Sequence, residues 1–135
     1  MSHRTVVLSS FEEYLASDDD SLEERTAQSL DRNERLIRFP QSVMLQVSFP
    51  ELDFVNRWCW RHFGPGDGDC AQRYSEYCVC DLIEPHSHVG KWRSHWFVKT
   101  DYDFGFNEWC FEESTDCKRF LANVENFNWG EHYPK

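Results

Sequence analysis

Val43, Leu45, Val47 and Phe49 alternate with Met44, Gln46 and Ser48, the period of a strand with one strongly buried face. Ser48 and Glu51 have capping-box spacing, and Pro50 falls in the first turn, where its missing N–H costs nothing. A helix is therefore predicted over 49–63. Leu52, Val55, Cys59 and Phe63 fall near one face of it, Phe54 and Trp58 widen that face, and Gly64 with Pro65 supplies the stop. The next run, Gly-Pro-Gly-Asp-Gly-Asp over 64–69, is made of turn formers and reads as a loop.

Strand character returns over 74–83 and is broken by Pro85 and Gly90. Two aromatic segments follow, 92–100 and 104–112, separated by Asp101, Tyr102 and Asp103, and together they read as a hairpin. Large side chains occupy both parities of these strands, so the sheet requires cover on both sides or leaves one face as a binding platform. The last helix has the clearest periodicity, with Cys117, Phe120, Leu121, Val124 and Phe127 on one stripe. Glu112, Glu113 and Asp116 put negative charge at its positive end. This order of elements predicts an α+β fold, an antiparallel sheet of about four strands packed by two helices as a two-layer sandwich. Residues 36–135 are assigned to it as a single domain.

Residues 1–35 differ in character. Through Glu34 the chain holds three basic residues against nine acidic ones, and all six Trp lie later, from Trp58 to Trp129. The segment is expected to form an acidic, partly helical arm. Ser21 and Glu24 suit a capping box, followed by a helix from about Leu22 to Arg35. Its apolar positions are few (Leu22, Ala27, Leu30), so its stability in isolation leans on pairs such as Asp31 with Arg35 at i,i+4.

Charge narrows the choice of partners. The 135 residues include 14 Lys and Arg against 24 Asp and Glu, for a formal net charge of −10. Phosphate-backbone binding needs a basic stripe, so direct nucleic-acid binding is not expected. No apolar run approaches the ~20 residues of a membrane helix, and the first ten residues lack the apolar stretch of a secretory signal. A cytoplasmic location follows as the expectation, and with it six cysteines read as reduced thiols.

The sharpest candidate for chemistry is Cys78 and Cys80 followed by His86, His88 and His95. Sulfur and imidazole are zinc ligands, but structural sites recur with ligand pairs two to five residues apart, whereas each pair here is separated by one. An extended path from Cys80 to His86 spans roughly 20 Å, so only a tight reversal near Pro85 brings the two pairs together. Cys80 with His86 or His95 as a nucleophile–base pair lacks any accompanying oxyanion loop. A calcium loop starting at Asp67 fails because Ala71 and Cys78 stand where ligands are needed. The Gly-rich run lacks the Lys and Ser/Thr of a phosphate loop.

No catalytic residue emerges, and no cofactor is expected unless zinc occupies the Cys/His segment. What remains is the acid-tipped aromatic hairpin. Trp92, Trp96, Trp109 and Tyr102, with Asp101 and Asp103 at the tip, are of the types that anchor interfaces, although a buried core is the commoner fate of such residues. The expected function is an acidic cytosolic protein-interaction module without catalytic activity. Two alternatives stand beside it. One is an inhibitor presenting carboxylates in place of phosphates to a basic DNA- or RNA-binding enzyme, as phage and defence proteins do; the other is a small zinc protein using the Cys/His segment.

Overall fold

Antiparallel pairing of four strands organises the molecule. The computed structural model describes residues 7–16, 21–67, 89–97 and 104–124. In chain order these form β1 (Val7–Ser9), α1 (Phe11–Ala16), α2 (Leu22–Arg38), β2 (Gln41–Ser48), α3 (Phe49–Phe63), β3 (Trp92–Phe97), β4 (Phe104–Phe111) and α4 (Ser114–Val124). The sheet order is β1-β2-β4-β3, every neighbouring pair antiparallel. The fold is α+β, as the hydrophobic pattern predicts, and the aromatic segments pair as β3 and β4 with Trp92 opposite Phe111 and Phe97 opposite Phe106.

Register divides the side chains between two faces. Val43 sits opposite Trp109, Leu45 opposite Asn107 and Gln41 opposite Phe111, so the odd positions of β2 and β4 share one face. There Val43, Leu45, Val47, Trp109 and Phe111 pack with Leu52, Val55 and Cys59 of α3 and with Cys117, Phe120 and Val124 of α4. This is the predicted two-layer sandwich. α3 starts as its sequence dictates: Ser48 Oγ accepts from the Glu51 N–H while the Glu51 carboxylate accepts from the Ser48 N–H. Gly105 keeps β4 open to its neighbour, because a Cβ there would stand 2.6 Å from the Trp96 indole.

The opposite face is covered by the early part of the chain. Phe11 and Tyr14 of α1 form a second apolar cluster with Met44, Phe97 and Phe106, the Tyr14 and Phe97 ring centroids lying 4.6 Å apart. Strand β1 continues the sheet beyond β2, with Leu8 opposite Leu45. Residue 35, where the composition changes, thus lies inside α2 and not at an edge of the packing. The predicted end of that helix falls three residues short, since it runs on to Arg38. Ser21 caps it, its Oγ accepting from the Glu24 N–H.

Candidate functional site

Helix α2 docks by its charged side. At ~100° per residue, Arg25, Gln28, Arg32, Arg35 and Leu36 fall on one flank, and these are the side chains turned inward, with Arg35 buried outright. Glu108 of β4 meets them from the sheet at 1% exposure, a position among aromatic neighbours where an unpaired carboxylate would be costly. Arg32 donates from Nε and Nη2 to Glu108, the latter at 2.8 Å, and Arg35 Nη2 donates to the same carboxylate at 3.2 Å. Arg35 Nη1 donates to Asp31 Oδ2 at 2.9 Å, the i,i+4 pair visible in the sequence.

Aromatic rings complete the seat. The Arg32 guanidinium lies 4.7 Å from the Phe11 centroid and that of Arg35 lies 5.8 Å from Phe97. A helix with few apolar residues to bury is held by two arginines placed between a carboxylate and ring faces.

A polar cavity of about 270 Å³ opens beside this seam, among Asp31, Glu34, Arg35, Arg38, Asp67 and Arg93. Helix α2 supplies most of its lining, and Asp67 comes from the loop after α3. Arg38 donates to Asp67 Oδ1 at 2.8 Å and to the Gly90 carbonyl at 2.9 Å, and the Asp67 N–H donates to the Trp92 carbonyl. A Cβ on Gly90 would sit 2.6 Å from the Asp67 nitrogen, so this close approach requires glycine. Arginine and carboxylate alternate around the cavity and largely satisfy each other, which leaves no charge excess of either sign to select an ion.

The candidate residues read from the sequence separate in space. Trp92 and Trp109 are buried in the core at 2% and 0% exposure, with indole N–H groups donating to the Gly64 carbonyl and to Asn56 Oδ1 at 2.8 Å. Their surfaces are spent on α3 and α4, so neither is available to a partner. Trp96 is half-buried over Gly105. Tyr102, Asp101 and Asp103 lie outside the described residues, as do Cys78, Cys80, His86 and His88. His95 stands against Phe97, ring centroids 4.6 Å apart, and its pKa is lowered to about 4, first by burial and then by the Arg35 charge. Its imidazole is neutral at pH 7. Among the described residues no group of three or more His, Cys, Asp or Glu converges as metal ligands do.

The described cysteines are chemically quiet. Burial pushes the Cys59 thiol up, and Cys110 is raised to about 12 by burial and by the adjacent Glu108 carboxylate. A thiol so far from ionisation is a poor nucleophile. Sequence reasoning did not find the Arg32–Glu108–Arg35 cluster. The available signal was a lone acid at a buried-strand position, Glu108 between Phe106 and Cys110 on one parity, together with a helix rich in arginine and poor in apolar residues.

No family model, no curated protein and no solved structure matches the chain.

Proposed function

We propose that this protein is a protein-interaction module, without catalytic activity, that presents the outer side of α2 to a partner. One observation carries the reading. The helix is inverted relative to an ordinary surface helix: its arginines face the sheet while Leu22, Leu30 and Ile37 face solvent at 80%, 62% and 82% exposure. The Arg32–Glu108–Arg35 contact orders the helix this way round, and a partner laid along its outer side would bury the aliphatic residues left exposed.

The state of the site's ionisable groups supports the same reading. The buried charges are paired with each other, and the Cys59, Cys110 and Cys117 thiols are buried with raised pKa values. A cytoplasmic location belongs to this proposal, and in that compartment Cys59, Cys110 and Cys117 would stay reduced.

The test uses a charge-neutral variant of the stripe, Leu22→Gln with Leu30→Gln and Ile37→Gln. All three positions are exposed, so each change is expected to alter stability by no more than about 0.5 kcal/mol. Tagged wild-type and variant chains are used for affinity capture from cells of the source, followed by mass spectrometry. A partner retained by the wild type and lost by the variant is the expected outcome. A capture profile identical for both chains rejects this surface as the site of interaction.

A further inference from the structure

We propose that the partner of α2 is an amphipathic helix with an apolar seam and a basic flank. This rests on the interaction reading above and specifies its partner class. At ~100° per residue, Leu22, Ile37 and Leu30 fall within roughly 80° of arc, with Thr26 and Asn33 between them. The stripe runs about 22 Å along the helix at 1.5 Å per residue. Its two flanks are unlike. One side continues into Glu23 and Glu34, both exposed, which make an acidic ridge beside the stripe; beyond them Arg38 pairs with Asp67 and Asp31 pairs with Arg35. The other side turns toward the sheet through Ser29, Arg25 and Leu36, which are partly buried.

A narrow apolar seam of this length is matched by another helix laid along it, read through side chains at i, i+3, i+4 and i+7. The acidic ridge decides which helix. A Lys- or Arg-flanked seam brings opposite charges to Glu23 and Glu34 near the two ends of the contact, and the formal net charge of −10 on this chain steers a basic partner toward it. A second copy of the chain fits less well. In a two-fold antiparallel pair of α2 helices the same flank of each meets on the same side, so ridge faces ridge. Like charges placed this way oppose pairing.

Two synthetic helical peptides with the same leucine seam, one flanked by lysine and one by glutamate, test the proposal by fluorescence anisotropy against the full chain. The lysine peptide is expected to bind with affinity in the micromolar range, since one helix buries less than the ~800 Å² per partner of a standard interface. The glutamate peptide is expected to bind at least about tenfold more weakly, and the lysine peptide to weaken between roughly 50 and 200 mM salt. The triple glutamine variant, with an unchanged circular dichroism spectrum, is expected to lose about tenfold or more in affinity for the lysine peptide. Affinity that survives in this variant means binding by diffuse charge and overturns the proposal, as does equal affinity for the two peptides. Concentration-dependent dimerisation abolished in the variant, without peptide binding, assigns the stripe to a second copy; it overturns the basic helix and leaves the interaction reading standing. Loss of stripe dependence here and in the capture experiment removes both.

Discussion

The two faces of one sheet are built by different physics. Beneath α3 and α4 the contact is almost wholly apolar, with Leu45, Val47, Val55, Trp109, Phe111, Phe120 and Val124 each excluded from solvent. Across the sheet, α1 brings a smaller aromatic cluster, while α2 brings arginines to a buried glutamate. Apolar burial is non-directional and scales with area, so the first face tolerates detail and resists removal of volume. The second face depends on matched charges, and its value is the difference between a desolvation cost and a set of hydrogen bonds. Such a contact contributes little net stability but fixes how the helix lies. Because α2 spends its polar side on the sheet, its aliphatic side is left outward.

The largest expected effect comes from the apolar face. Trp109 is fully buried and tilted against Phe120, centroids 5.6 Å apart, and it also holds Asn56 by its indole N–H. Trp109→Ala is expected to destabilise the fold by about 3–5 kcal/mol, through lost burial and the cavity left behind. That is a large part of a typical domain's stability. Urea denaturation followed by circular dichroism measures it. A loss under about 1 kcal/mol would show that this face is not the principal core.

The charged face makes a sharper prediction, because its parts and its whole should behave differently. Glu108→Ala leaves Arg35 buried and Arg32 partly buried without their acceptor, and is expected to cost about 3 kcal/mol. Replacing Arg32, Arg35 and Glu108 together by Met removes the desolvation cost along with the pairing. This triple variant is expected to be within about 1 kcal/mol of wild type or more stable. If the triple change costs as much as the single one, the cluster is a net stabiliser and the contrast between the faces fails.

The same contrast explains what was legible in the sequence. Strand β2, helix α3 and the β3–β4 pairing follow from periodicity, since apolar burial writes its period into the chain. The Ser48–Glu51 capping box and the Asp31–Arg35 pair are local and were readable for that reason. Glu108 and Arg32 are 76 residues apart, and no spacing rule connects them. Helix α2 was readable from its Ser21 cap and its i,i+4 pair, but its docking was not, because hydrophobic pattern cannot show a helix that docks by its charges. Strand β1 is three residues long and carries too short a pattern to declare itself. For the aromatic residues, sequence type did not separate core from surface: Trp92 and Trp109 went to the core by strand parity, opposite Phe111 and Val43.

The charged face should respond to mild acid. His95 lies on it beside Phe97, with Arg35 and Arg93 opposing its protonation and Asp31 and Glu108 favouring it; burial and Arg35 prevail, lowering its pKa to about 4. In the unfolded chain the same imidazole titrates near 6.5, so between these values the unfolded state binds more protons than the folded one. The stability that His95 contributes is therefore complete above about pH 6.5 and is lost as pH falls toward 4. Because the ring is only half-buried and its surroundings are screened, a loss of roughly 1–2 kcal/mol is expected over that window. The pKa of His62 on α3 is lowered too, by burial and by Arg119 and Arg61, so the useful quantity is the difference between wild type and His95→Gln. Urea midpoints measured from pH 8 to pH 4 should fall more steeply for the wild type below pH 6.5, with the two curves parallel above pH 7. Curves parallel throughout would mean that the imidazole is as hydrated in the folded state as in the unfolded one, and that α2 does not cover this face as tightly as its ion pairs indicate.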